Sequence, residues 1–371
     1  MSANSSAKRK TKLKTRTISR QQQVAQGDKS VPLSIKLVRL IICGLGMSAI
    51  AGTTISVVNP PKQPMANKVD PPIPLPKIHQ LKLTVANPQL DRQLQQAISK
   101  NKKLDSSYLF VEVDSGEYSQ HGVDRVLPAA STIKLPILIA LFQDVDAGKV
   151  QLAENLTIDK QSIAEGSGDL QSRKPGTKVS ILVAATKMMT ISDNTATNLL
   201  IDRLGGKSAL NQRFRQWGLK VTTINQPLPD LAGTNITTAG ELSRSILAIV
   251  GGASPAENRG KIVSDISRRQ ILSMMSKTAR NTMLPKGLGA GAKIAHKTGD
   301  IGKLVADVGS IELPSGKHYI AAVLVKRPHN DRAAPALIRN LSKIVYTHFH
   351  QPQLNLPAPK TVSTDRKKLV D

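Results

Sequence analysis

An α+β fold is expected of this sequence: an antiparallel sheet built from both ends of one folded segment, flanked by helices, with a helical lobe inserted between the ends. Three observations predict it. Residues 106–122, "SSYLFVEVDSGEYSQHG", alternate apolar and polar side chains on either side of a "DSG" turn, the pattern of a β-hairpin. After about residue 290, "KIAHKTGDIGK", "LVADVGSIELPSGK" and "HYIAAVLVKRP" read as three further antiparallel strands with Gly, Pro and Ser at their turns. Between these groups lie about 180 residues in which "KVSILVAATKMMTIS" and "NTATNLLIDRLGG" carry apolar residues at three and four spacing, so the middle is helical.

The remaining elements follow in chain order. Residues 1–39 hold ten Lys/Arg and one Asp and form a basic tail. Residues 40–58, "LIICGLGMSAIAGTTISVV", are nineteen uncharged residues, enough as a helix to span a hydrocarbon core of about 30 Å. The basic flank predicts that the N-terminal side stays cytoplasmic and that the rest of the chain lies outside a bacterial plasma membrane as a single-pass protein. A cleaved signal peptide followed by secretion is the alternative. Residues 59–84 begin with seven prolines in eighteen positions and read as a stiff linker. The folded domain is expected over 85–350, opening with a short helix near 88–100 and closing with a helix over 335–348. A polar tail occupies 351–371. Nothing in the chain asks for a second copy, and a monomer is expected.

Composition excludes several function classes. The formal charge is +26, but nine of that excess sit in the basic tail and the other seventeen are spread out. Aromatic residues are only 2%, and no phosphate-binding glycine loop or zinc-finger spacing occurs, so no nucleic-acid partner is expected. Cys43 is the single cysteine and lies in the apolar segment, which excludes an intramolecular disulfide and a cysteine metal site.

The chemistry-bearing motifs are three. Ser131-x-x-Lys134 stands at the head of "LPAASTIKLPILIALFQ", where a serine opening a helix has free backbone N–H groups beside it and a lysine on the same face. A neutral lysine there could take the serine proton. The spacing by itself is weak, since Ser5–Lys8 and Ser99–Lys102 share it, and an N-cap serine beside a solvated lysine reads equally well. Pro136 removes an N–H close behind. Ser192-Asp193-Asn194 falls between two helices, as a capping turn or as a proton relay with a substrate-orienting amide. Lys297-Thr298-Gly299 lies in the first late strand, as an exposed strand end or as a carboxylate site whose glycine admits substrate.

Taken together, in this order and with gaps of 61 and 105 residues, the three motifs resemble the signature of class A β-lactamases and penicillin-binding proteins, the penicillin-recognising serine hydrolases. "MTISDNTATNLLIDRLGG" and "AHKTGD" are similar to that family around its second and third motifs, and the likeness covers about residues 85–350. It implies a β-lactamase/transpeptidase-like fold and an acyl-enzyme on Ser131. Lys134 would be the proton partner of that serine and Ser192 the relay toward the leaving nitrogen. Asn194, Lys297, Thr298 and Gly299 would bind a β-lactam or a peptidoglycan stem peptide. The oxyanion hole would be the backbone N–H of Ser131 with that of Asp300. No metal or organic cofactor is implied. His296 reads as packing or strand-end polarity.

One departure bears on mechanism. Class A enzymes carry a Glu-x-x-Leu-Asn loop whose glutamate activates the deacylating water. Here no glutamate occurs between Glu165 and Glu241, and the stretch "VTTINQPLPDLAGTNITTAGEL" offers only Asp230 ahead of Glu241 as an alternative base. Three readings stay open: a β-lactamase that deacylates by another route, a D,D-peptidase or esterase, and a non-catalytic wall- or β-lactam-sensing module.

Overall fold

The two chain ends meet in one sheet of six strands: β1 (Val85–Ala86), β2 (Asp105–Glu112), β3 (Glu117–His121), β8 (Lys293–Ile301), β9 (Leu304–Glu312) and β10 (His318–Lys326), in the order β1-β3-β2-β10-β9-β8. The structure, a computed structural model, describes residues 81, 83–251 and 262–351. The basic tail, the apolar segment 40–58, nearly all of the linker and all but Gln351 of the C-terminal tail lie outside the described residues. Within the described residues no helix is long and apolar enough to cross a membrane.

The expected hairpin is β2–β3 and the expected late strands are β8, β9 and β10, all antiparallel. The sheet differs from expectation at its edge, where the two-residue β1 runs parallel to β3. A helix, α1 (Pro88–Ser99), and not a tight turn follows β1, which frees that strand to enter in the same sense as its neighbour. Alternation along the strands divides the core in two. Tyr108 and Phe110 of β2 with Ala321, Val323 and Val325 of β10 face α1 and the C-terminal helix α8 (Ala333–His350), whereas Ile320, Ala322 and Leu324 face the helical lobe.

That lobe holds α2 (Lys134–Asp146), α3 (Ile181–Thr190), α4 (Asn194–Arg203), α5 (Gly206–Gln216), α6 (Ala239–Val250) and α7 (Asp265–Met275). Helix α2 runs through its middle, and every side chain from Leu135 to Phe142 is shut off from solvent. This explains why its sequence is apolar on all faces. Pro136 fits because it lies in the first turn of α2, where backbone N–H groups have no acceptor within the helix. Short ladders close the lobe's edges: β4 (Leu127–Pro128) with β7 (Ile236–Thr237), and β5 (Asn155–Thr157) with β6 (Lys178–Ser180).

Candidate active site

Ser131 sits in a 3-10 turn, Ala130–Ile133, and not in the first turn of the α-helix, which begins only at Lys134. The turn is entered through Ala130 at φ 46°, a left-handed conformation that a side chain adopts at a cost of about 1 kcal/mol or more. Ser192 is also left-handed, at φ 60°. Among described non-glycine residues only these two and Asn330 have positive φ, so strain gathers at this site.

Strand β8 is pressed against the same turn. A Cβ on Gly299 would meet Ala130 Cβ at 3.0 Å and the Ser131 nitrogen at 3.2 Å. The glycine therefore admits the protein's own backbone; the room expected there for a substrate is taken by the serine turn. Its neighbours Lys297, Thr298 and Asp300 line a cavity of about 390 Å³ together with Ser131, Ser192 and Arg280.

Two buried lysines converge on one hydroxyl. Lys134 Nζ donates to Ser192 Oγ at 3.0 Å, to the Ser192 carbonyl at 2.5 Å and to Asn194 Oδ1 at 2.8 Å. Lys297 Nζ donates to Ser192 Oγ at 3.2 Å and to the Thr298 carbonyl at 2.8 Å. With two amines on its oxygen, the Ser192 hydroxyl has its own hydrogen left to donate. The expected direct bond between Ser131 and Lys134 is not formed. Ser131 Oγ has no hydrogen-bond partner among the described residues, because Ser192 and Asn194 supply three acceptors that hold the Lys134 amine.

The Ser192-Asp193-Asn194 turn is tied down on every side. Asp193 is inaccessible to solvent, and its carboxylate accepts from the N–H groups of Ala196, Asp169 and Leu170. Gly168 makes the approach possible, since a Cβ there would fall 2.2 Å from Asp193 Cγ. Asn194 Nδ2 donates to the Glu165 carbonyl at 2.8 Å, so one amide joins Lys134 to the 164–170 segment. The reading of this triplet as a cap and as a site is thus not a choice: Asp193 caps α4 while Ser192 lines the cavity, and Asn194, buried and outside the lining, holds Lys134.

Burial sets the electrostatics. Lys134 is fully buried, and desolvation first, then the charge of Lys297, push its pKa well below the ordinary 10.5. Lys297 is pushed down to about 7 by desolvation, partly offset by the carboxylate of Asp307, with Arg280 adding to the depression. A neutral Lys134 amine has two N–H groups, so it gives up one of its three donated bonds and keeps a lone pair, which is what a proton acceptor needs. The sign of the stability effect follows. Below about pH 7 folded Lys297 is charged and its burial penalty is fully present; between 7 and 10.5 the unfolded chain binds more protons, so stability rises with pH. Lys297→Met removes that penalty. Urea midpoints from about pH 6 to about pH 10 should show the variant's advantage over the wild type greatest at or below pH 7 and shrinking toward the alkaline end. A constant gap would contradict the depressed pKa.

Asp230 is 2% exposed and does not line the cavity. Its Oδ1 accepts from the Thr234 N–H at 3.0 Å, the Thr234 hydroxyl and the Gln226 amide, and its Oδ2 from the Asn235 N–H at 2.6 Å. A carboxylate held by these four donors closes its own loop and is turned away from the cavity. Asn198, for which the sequence gives no signal, grips the same loop: it accepts from the Leu228 N–H at 2.9 Å and donates to the Leu228 carbonyl at 2.8 Å. Glu241, the next acid along, accepts from the N–H groups of Val221 and Thr222. His296 pairs with Asp307 at 2.7 Å and Asn281 at 3.1 Å and does not line the cavity.

Comparison with known proteins gives the family and the fold. The model of the beta-lactamase enzyme family matches residues 89–349, most of the chain. The chain belongs to that family. Relatives of the family include Beta-lactamase BRO-1 of Moraxella catarrhalis, 27% identical over 59% of this chain and 70% of that protein. The extended-spectrum beta-lactamase PER-1 of Pseudomonas aeruginosa is 25% identical over 62% of this chain and 78% of that protein. Among solved structures, PBP-A is 46% identical with a TM-score of 0.68, covering 74% of this chain and 98% of PBP-A. The beta-lactamase of Sphaerobacter thermophilus is 26% identical with a TM-score of 0.62, covering 69% of this chain and 97% of that one. The fold is therefore that of the class A β-lactamases and penicillin-binding proteins, and the protein is a serine hydrolase of the β-lactamase and penicillin-binding type.

Proposed function

We propose that this chain is a penicillin-binding-type serine enzyme that acylates rapidly and deacylates slowly, acting on β-lactams or acyl-D-Ala-type peptides through Ser131. The observation that carries this reading is a pair of facts about one cavity. Two buried amines meet on the hydroxyl of Ser192, which lines the cavity with Ser131, and the one carboxylate in the lining, Asp300, has both oxygens bound to arginines. Ser131 Oγ attacks the carbonyl carbon, and its proton passes to the neutral amine of Lys134. Ser192 then delivers a proton to the leaving nitrogen as the C–N bond breaks and takes the proton held by Lys134 in its place, leaving an ester on Ser131 and a neutral Lys134 amine. The backbone N–H groups of Ser131 and Asp300 receive the oxyanion, Lys297 with Thr298 holds the substrate, and Asn194 holds the Lys134 amine in place. No carboxylate among the lining residues is free to activate a water against that ester.

The likeness to PBP-A supports the same reading, since a mutant of PBP-A has been captured as an acyl-enzyme complex with penicillin G. A place outside the cytoplasmic membrane near peptidoglycan belongs to the proposal and rests on the sequence of residues 1–84. Adduct mass decides it: the full chain mixed with penicillin G should gain one penicilloyl mass and keep it for minutes or longer. Losing a general base typically slows the step it serves by about a hundredfold to ten-thousandfold. Rapid turnover that collapses in Asp230→Asn would restore a β-lactamase with an aspartate base. Rapid turnover that survives the change would show that a lysine serves both steps.

A further inference from the structure

Beyond Thr298 the wall of the cavity carries an ion-pair arrangement that the acylation chemistry does not use. Asp300 Oδ2 accepts from Arg280 Nη1 at 2.6 Å, and Asp300 Oδ1 from Arg327 Nη2 at 2.5 Å. The two arginines differ in setting. Arg327 follows β10, has a side chain only 4% exposed, and also reaches the carbonyls of Ile301 and Asp331, so it is part of the scaffold. The Arg280 side chain is 53% exposed and lines the cavity, and Asp300 is the acceptor it holds. Arg280 and Arg327 thus hold a single internal anion, and Arg280 and Asp300 line the same cavity as Lys297 and Thr298, where a substrate's carboxylate would arrive. A carboxylate entering there must compete with one already covalently in place, at effective concentrations no free ligand reaches.

We propose that Asp300 is a specificity-determining residue that occupies Arg280 in place of a substrate carboxylate, so that the site favours acyl donors whose leaving group ends in an uncharged carboxamide or ester over those ending in a free carboxylate. The inference rests on the acyl-enzyme reading above, and concerns the side chain of Asp300 rather than its backbone N–H. Lys297 and Thr298 still offer a carboxylate their own hydrogen bonds; Asp300 engages Arg280 through Nη1, neutralises its charge and adds a like charge of its own.

The test uses the full chain and two benzoylglycyl thioesters that are identical except that one leaving group ends in a carboxylate and the other in its carboxamide. The second-order rate of Ser131 acylation is followed by thiol release and adduct mass. The wild type should prefer the carboxamide. Asp300→Asn frees Arg280 and should raise the carboxylate-to-carboxamide rate ratio by at least about tenfold, the scale of one charge-assisted hydrogen bond. Arg280→Gln, at a half-exposed position that does not threaten folding, should lower the ratio, and adding it to Asp300→Asn should erase the gain. Melting curves on all variants report whether the hairpin is intact; should Asp300→Asn fail to fold, the fall in ratio for Arg280→Gln decides alone. Parallel changes for both thioesters, with Ser131 still acylated, overturn the role of Asp300 and leave the acyl-enzyme reading standing. No Ser131 adduct with either thioester or with penicillin G overturns that reading, and this one with it.

Discussion

Ser131→Ala should abolish the penicillin adduct and leave the protein folded. The hydroxyl has no hydrogen-bond partner among the described residues and stands at the edge of a cavity, so its loss costs the fold less than about 1 kcal/mol. The chemistry loses its only attacking atom. Ser99→Ala is the matched control, because Ser99 has the same spacing to a lysine but ends α1 with its hydroxyl on the Gln96 carbonyl. An undiminished adduct on the Ser131 variant would mean that another residue is the nucleophile.

Lys134→Met should be nearly as damaging to acylation and far less damaging to stability than its burial suggests. The loss of a positioned proton acceptor predicts a fall of about a hundredfold to ten-thousandfold in acylation rate. Against this, the variant discards an amine whose charged form is disfavoured by full burial and by Lys297. It also leaves the Asn194 amide oxygen and the Ser192 carbonyl without their donor, so the two effects on stability oppose one another. Wild-type acylation should decline as pH is lowered through the depressed pKa of this amine, because the proton acceptor is lost there. A variant with unchanged acylation would assign the proton to Lys297 or to Ser192 instead.

Much of this was legible in the chain. The hairpin 106–122, the three late strands and the two mid-chain helices announce themselves through periodicity, which depends only on which face is buried. The motif residues Ser131, Lys134, Ser192, Lys297 and Thr298 do lie around one hydroxyl and one cavity. What periodicity cannot convey is the direction in which a polar side chain points. Asp230 is the single acid in its loop, and only three-dimensional structure reveals that its oxygens face that loop's own N–H groups. Asn198 falls in the middle of α4, indistinguishable in sequence from any polar helix residue, yet it clamps a loop thirty residues away. Gly299 invites the inference of room for a ligand, but Ala130 and Ser131 fill that room. Arg280 carries no local signal at all, because its partner is brought beside it by the β8–β9 hairpin.

The pairing of β2 with β10 has a consequence for how the protein comes into being. The register joins Glu112 to Tyr319 and Asp105 to Lys326, so the middle of the sheet waits for a strand translated about 200 residues later. Until then the emerging chain holds a hairpin with one long edge bare and the apolar side chains of β2 uncovered, an invitation to pair with other chains. Helices of the lobe, whose contacts are nearer in sequence, can form in the meantime. A ribosome that stops before β10 therefore releases a product in which the sheet cannot close. Lys297, on β8, reaches Ser192 only when most of the chain has been made, so the second amine on that hydroxyl is among the last contacts of the site to form.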